Sequence, residues 1–173
     1  MPVAPYLDTL LLLLVVAAAI NDLSSRRIPN RLLLTGLAGA LALHAVSPVP
    51  GPALLSSLGG ALTGLLIFLP FYLARGMAAG DVKMMATVGA FSGPAITFHI
   101  AVIAWCAGGA MALALIVAHG RLNLVLGNLR DIVRGFVLRL PVASRSVQDS
   151  AGSMPYGVAI AAGTIYVLLG RYA

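Results

Sequence analysis

Residues 9–30 read TLLLLLVVAAAINDLSSRRIPN, an apolar run followed by an aspartate, two arginines and a proline. With the residues before it, the run is long enough to form a helix across a bilayer. No Lys or Arg precedes it, so we interpret it as a transmembrane helix rather than a cleaved signal peptide. An acidic group beside hydrocarbon is costly, and Asp22 at the end of this run therefore requires a functional explanation.

The composition of the whole chain is that of a membrane protein. Mean hydropathy is +1.00 and charged residues make up 9%, against about 25% in soluble domains. At about 20 residues per span, the chain can hold about six spans and little else. We therefore expect an all-α membrane protein in which residues 1–173 form a single polytopic domain.

The net charge of +6 does not indicate nucleic acid as a partner. The basic residues lie in short segments between apolar runs, where they set topology. No aromatic-rich basic surface is present on which bases would stack. The single cysteine and the three scattered histidines predict no metal site, and no cofactor is expected.

Six apolar segments predict six transmembrane helices, at about residues 6–20, 32–46, 53–74, 82–91, 95–118 and 156–169. Ten of the eleven basic residues then fall on one side, which the positive-inside rule makes cytoplasmic. The expected location is the inner membrane, with both termini periplasmic. Asp22 and Asp81 share the cytoplasmic side in this topology.

The fourth segment and the loop after the fifth leave alternatives open. A helix of about eleven residues rises roughly 16 Å, whereas the hydrocarbon core is about 30 Å thick. If the outer end of this helix reaches the far interface, Asp81 at its start would lie below the near membrane surface. Alternatively, that helix includes part of residues 75–80 and spans normally. In residues 120–153, apolar residues recur at helical spacing among arginines. This pattern predicts a cytoplasmic amphipathic helix, lying on the membrane or on the protein's own surface.

The segment NDLSSRRIPN, residues 21–30, forms the turn after the first span. Pro29 has a fixed φ that suits the start of the second span. The turn holds Asp22 near the membrane interface, where the ordinary alternative is a charged helix end. A carboxylate is disfavoured at a helix C-terminus, which weakens that alternative.

The second polar motif is GMAAGDVKMM, residues 76–85. Gly80 allows the backbone to pass close to another group. Asp81 stands where a helix begins, and the helix dipole there favours a carboxylate. The alternative to a functional role is that Asp81 only caps the helix N-terminus and that Lys83 is an ordinary surface charge. Two aspartates on the same side of the membrane indicate a pair that shares one proton. Such a pair can carry out acid–base chemistry on water.

These motifs resemble those of the type IV prepilin peptidase family, which belongs to the GxGD intramembrane aspartyl proteases. The resemblance covers nearly the whole chain. Within the family, the chain is most similar to the short TadV/CpaA-like branch that serves Flp-type (type IVb) pili. It rests on Asp22 before Ile28-Pro29-Asn30, on Gly80-Asp81-Val82-Lys83, on Gly89-Ala90-Phe91 and on Met154-Pro155-Tyr156-Gly157.

The resemblance implies that Asp22 and Asp81 are the catalytic pair. Substrate-binding or site-shaping roles would fall to Gly80, Lys83, Ala78, Pro29 and Asn30. The first glycine of the family signature is Ala78 here. This departure puts the loop geometry before Asp81 in question.

The implied activity is cleavage of the N-terminal leader of Flp-type prepilins by an aspartyl endopeptidase. Expected partners are the prepilin, the lipid bilayer and the pilus-assembly machinery. Larger family members carry an N-terminal segment with paired cysteine motifs and methylate the new terminus. This sequence lacks those cysteines, so we expect cleavage without N-methylation.

Two other functions fit the same residues. A small proton- or cation-coupled transporter would use both aspartates as a relay, although no acid continues a path along spans two, three, five or six. A structural subunit of a secretion machine would tolerate asparagine at both positions.

Overall fold

The computed structural model describes residues 3–120, 127 and 154–172, and this part of the chain contains six helices. They are α1 (Ala4–Ser25), α2 (Asn30–Ala45), α3 (Pro50–Leu73), α4 (Ala79–Ser92), α5 (Pro94–Ala118) and α6 (Tyr156–Leu169). The all-α prediction is confirmed, with one helix at each of the six apolar segments. The predicted amphipathic helix falls in residues 120–153, nearly all of which lie outside the described residues.

Helices α1, α3 and α5 are long and apolar enough to cross a membrane, and α6 is a shorter apolar helix. Many large apolar side chains on the outer faces are exposed, among them Leu13, Leu55 and Phe98. Such surfaces suit contact with lipid rather than water. The chain is therefore a multi-pass membrane protein, while the six-span topology stays a prediction.

Helix α1 continues five residues beyond the end predicted from its apolar run. Asn21 and Ser25 donate side-chain hydrogen bonds, both of 2.8 Å, to carbonyls four residues earlier, so polar residues extend the helix. The helix ends at Ser25. The capping residue that follows, Arg26, has a left-handed φ of 53°, and its N–H donates to the Asp22 carbonyl. Asp22 therefore lies in the last helical turn and not in the turn that follows it.

Helix α4 begins at Ala79, so it includes two of the residues 75–80 that the second alternative assigned to it, yet it remains short. Residues 74–78 are not helical, and Arg75 adopts a φ of 59°. The 14 residues of α4 rise about 21 Å, less than a hydrocarbon core of about 30 Å. Gly93, with a φ of 75°, ends the helix and Pro94 begins α5. The depth of Asp81 in the membrane stays a prediction.

Nine of the 14 residues of α4 are buried, because α1, α2, α3 and α6 all pack against it. The closest approach is to α3, where Gly60 faces Gly89 and Gly64 faces Met85. A methyl group at any of these three glycines would overlap a backbone carbonyl of the other helix. Small residues four positions apart allow membrane helices to approach in this way.

The chain divides into two compact units, residues 1–108 with 155–173, and residues 109–154. The first unit holds α1 to α4, α6 and the beginning of α5, and every residue of the candidate site lies in it. The described part of the second unit comprises the end of α5, residues 119–120, Gly127 and Met154.

Candidate active site

Asp22 is buried, with 6% of its surface exposed. Its Oδ2 accepts a hydrogen bond of 2.8 Å from the backbone N–H of Gly157, the second residue of α6. The N–H groups in the first turn of a helix have no intrahelical acceptor and carry a partial positive charge. The Asp22 carboxyl group, at the C-terminal end of α1, thereby provides an acceptor for one of the free N–H groups at the N-terminus of α6.

Asp81 is equally buried, with 5% of its surface exposed. It is the third residue of α4, and its Oδ2 accepts a longer hydrogen bond of 3.3 Å from the N–H of Ala78. This bond is one half of a capping box. The other half is missing because the Ala78 side chain has no acceptor. Asp81 is thus held by the start of its own helix.

The two aspartates lie in the first unit, on helices α1 and α4. Helices α1 and α4 pack on one another, and Asp22 lies close enough to Asp81 for their charges to repel. Tyr156 of α6 is also within range of the Asp81 charge, and its hydroxyl donates to the Ala104 carbonyl at 3.4 Å. When two carboxyl groups lie close together in a poorly hydrated site, their charges repel, and the repulsion is removed when the two groups share one proton. Such a pair is suited to moving protons to and from a bound water molecule.

The two polar motifs also touch at the surface. Lys83 donates from Nζ to Oδ1 of Asn30 at 3.1 Å, and both side chains are exposed. Pro29 is the N-cap of α2 and therefore stands at the start of that helix. Ile28 lies against the start of α4 at Gly80. The turn after α1 therefore packs on the segment that carries Asp81.

Neither Ala78 nor Gly80 occupies a position that only glycine can fill. Ala78 has φ −80° and ψ 151°, an extended conformation open to any residue. Its methyl group, the departure from the family signature, therefore introduces no backbone strain. A methyl group at Gly80 would lie 3.6 Å from Ile28 Cβ, which is ordinary van der Waals contact.

The importance of Gly157 was not predicted from the sequence, where it is the last residue of the segment Met154-Pro155-Tyr156-Gly157. A Cβ atom at this position would lie 2.9 Å from Asp22 Oδ2. One local signal was available: glycine lowers helix propensity, yet it stands at the start of an apolar helix two residues after Pro155. Its partner on α1 was not visible from the sequence.

Within residues 3–120, 127 and 154–172, no three His, Cys, Asp or Glu side chains are grouped to hold a metal ion. A family model described as the type IV leader peptidase family matches residues 9–113, more than half of the 173-residue chain. The matched region includes both Asp22 and Asp81 and ends before α6. Neither the curated proteins nor the solved structures compared with this chain include a match.

Proposed function

Since the chain belongs to the type IV leader peptidase family, we propose that it removes the N-terminal leader of a type IV prepilin by aspartyl chemistry. Family membership makes it a leader-peptidase-like protease. The aspartyl mechanism and the catalytic roles of Asp22 and Asp81 are the proposal. The observation that carries it is the pair of buried, mutually interacting carboxyl groups, both inside the region that matches the family.

The reaction consumes one water molecule. The ionised carboxylate takes a proton from water while the water oxygen bonds to the scissile carbonyl carbon. The protonated partner gives its proton to the carbonyl oxygen, which yields a neutral diol. The first carboxyl group then returns its proton to the amide nitrogen as the C–N bond breaks, and a diol proton restores the partner. Asp22 and Asp81 supply both groups.

The substrate must present an unwound cleavage site, because helical carbonyls are already hydrogen-bonded. A prepilin carries a short basic leader followed by an apolar helix, and that helix suits the exposed apolar faces of this protein. Lys83 is exposed at the edge of the site and is placed to pair with an acidic residue of the pilin. Its hydrogen bond to Asn30 orients the ammonium group in the absence of substrate.

Three finer features belong to the same proposal. The substrate is a Flp-type pilin, as the resemblance to the short branch implies. The product leaves with an unmethylated N-terminus, as the resemblance to the short branch also implies. Cleavage takes place on the cytoplasmic side of the inner membrane, since the predicted six-span topology puts ten of the eleven basic residues on the side that carries both aspartates.

The transporter alternative draws no support from the family match, which describes peptidases. It also requires acids along the spans, and in the described chain the remaining acid is Asp8, at the opposite end of α1.

The test is co-expression with a Flp-type prepilin, followed by a gel assay for loss of the leader. Wild type is expected to cleave, whereas Asp22→Asn and Asp81→Asn each lose at least about a hundredfold in rate, since each removes a proton-transfer group. Asp8→Asn is the matched control, because it makes the same substitution on α1 away from the pair. Cleavage by the Asp22→Asn,Asp81→Asn double variant would disprove the aspartyl mechanism.

Mass spectrometry of the same product tests the methylation state. An unmethylated N-terminal residue is expected, and a mass increase of one methyl group would contradict that part of the proposal alone. A pH–rate profile on purified enzyme is expected to be bell-shaped, because one carboxyl group acts ionised and the other protonated.

A further inference from the structure

The N-terminus of α6 reaches the candidate active site from outside the region that defines the family match. The N–H of Gly157 donates to Asp22 Oδ2 at 2.8 Å, in a buried contact between residues 135 positions apart. The family match covers residues 9–113, so it includes Asp22 but not Gly157, the donor of this hydrogen bond. Burial makes the hydrogen bond strong, since no water competes for either partner.

The contact depends on the absence of a side chain at residue 157. A Cβ atom there would lie 2.9 Å from Asp22 Oδ2 and 3.2 Å from both Cβ and Cγ of Asp22. The first distance is too short for a relaxed carbon–oxygen contact, and the other two are tight. Any other residue would displace the Asp22 carboxyl group from its present position.

The contact also distinguishes the two aspartates electrostatically. The dipole at the start of α4 favours a carboxylate at Asp81. Asp22 contacts the N-terminus of α6, which also favours a carboxylate, but it lies in the last turn of α1, where the dipole opposes one. The dipoles alone therefore do not favour Asp22. The hydrogen bonds do, because Asp22 accepts at 2.8 Å in a buried contact and Asp81 at 3.3 Å in a partly buried one. A hydrogen bond to the charged form favours ionisation of that group.

The other charged groups near Asp22 do not reverse this order. Asp81 lies on α4, which packs on α1, and Coulomb repulsion between two charges is mutual, so it does not distinguish them. Tyr156 precedes the donor on α6 and directs its hydroxyl to Ala104. Arg26 and Arg27 follow Asp22 on its own chain and are exposed. The buried residues of α2 are Leu33, Gly36 and Ala40, none of them titratable.

We propose that Gly157 is a positioning residue whose backbone N–H makes Asp22 the carboxylate that activates water, leaving Asp81 as the proton donor. The inference rests on the proposed function and assigns the two roles that it left open. In the reaction, the Asp22 carboxylate takes the water proton and Asp81 protonates the carbonyl oxygen. Asp22 then protonates the departing nitrogen, and a diol proton returns to Asp81.

The decisive variant replaces the Tyr156–Gly157 amide by an ester, which removes the N–H without adding bulk. It can be made by incorporating glycolic acid at position 157 in cell-free translation into lipid nanodiscs. The matched control is an ester at Gly170, whose N–H donates to the Tyr166 carbonyl at 3.1 Å at the far end of α6. The readout is kcat/KM for prepilin cleavage against pH.

The ester at 157 is expected to move the acidic limb of the pH profile upward by about one to two units, since a charge-assisted hydrogen bond is lost. The ester at 170 should leave the limb in place. Gly157→Ala keeps the N–H but displaces the carboxyl group, so it should lower kcat about tenfold or more with a smaller change in KM. If the ester at 157 leaves the acidic limb of the pH profile unmoved, the positioning role is overturned. If that ester moves the basic limb alone, Asp22 is the proton donor instead.

A second measurement needs no ester. Infrared spectra of the wild type with ¹³C-labelled aspartate, assigned with Asp22→Asn and Asp81→Asn, report which carboxyl group loses its proton first as pH rises. Asp22 is expected to ionise first, and the reverse order would overturn the assignment. Failure of wild type to cleave would instead refute the proposed function, so the two failures are distinguishable.

Discussion

Asp22 and Asp81 are equally buried, at 6% and 5% exposure, yet the protein holds them in different ways. Asp81 is bonded to an N–H three residues earlier, at the start of its own helix. Asp22 is bonded to an N–H 135 residues later, on a helix that must first pack beside α1. The geometry of one acid is therefore local, whereas that of the other depends on completed tertiary structure.

The glycine beside each aspartate follows the same division. Gly80 belongs to the signature motif, but a methyl group would fit there, 3.6 Å from Ile28. Gly157 lies at the start of α6, and a methyl group would lie 2.9 Å from the Asp22 carboxyl oxygen. Proximity to an acid in the sequence is thus a poor guide to which glycine the site requires.

Alanine at either aspartate gives the largest effect and tests the comparison directly. Both variants should lose cleavage, but Asp22→Ala should destabilise the protein more, because it leaves the buried N–H of Gly157 unpaired. The expected cost is about 1–3 kcal/mol for Asp22→Ala, and about 1 kcal/mol or less for Asp81→Ala, which removes a longer capping bond. Thermal unfolding in detergent measures both values.

Asp22→Asn is the control for that experiment, since its amide oxygen can still accept from Gly157 and should restore most of the stability without restoring cleavage. Equal destabilisation by the two alanine variants would show that the long-range hydrogen bond is no stronger than the local one.

Lys83→Ala should lower kcat/KM for the prepilin by about two- to fivefold, because an exposed ion pair with the substrate contributes about 1 kcal/mol or less. Asn30→Ala should have a smaller effect, since it only frees the ammonium group from its 3.1 Å hydrogen bond. A double-mutant cycle against the acidic residue of the pilin isolates the pair. Wild-type efficiency in Lys83→Ala would exclude the recognition role.

Gly80→Ala should keep cleavage within about twofold of wild type, because the site has room for a methyl group and alanine favours helix. The gel assay for leader loss compares it with Gly157→Ala at matched protein levels. If Gly80→Ala proves as damaging as Gly157→Ala, the glycine at 80 must serve the bound substrate rather than the packing of the free enzyme.

The smallest effect is expected for Asp8→Asn, at the other end of α1. Asp8 pairs with Arg171 at 2.9 Å and accepts from the Tyr172 hydroxyl at 2.8 Å, where the arginine side chain is one-third exposed. Cleavage should not change, and the stability loss should stay below about 1 kcal/mol. A loss of cleavage comparable to Asp22→Asn would show that acids on α1 act through the fold and not through chemistry.

Much of the fold was predictable because hydropathy is a local property. All six helices lie at the predicted apolar segments, and the residues 82–91 predicted for the fourth fall inside α4 (Ala79–Ser92). The end of α1 was missed because hydropathy gives no weight to side chains such as Asn21 and Ser25, which bond back to the helix. The candidate aspartates were predictable because a carboxyl group next to an apolar run is rare.

The sequence by itself determined a helical membrane chain with two acids at the ends of apolar segments. Only the tertiary structure decided that α4 is enclosed by four helices and that α6 delivers an N–H to Asp22. The physical reason is that an apolar residue facing lipid and one facing protein look alike in a membrane sequence. Which faces meet is set by backbone approach at small residues such as Gly60, Gly64 and Gly89, and that approach exists only once the helices are packed.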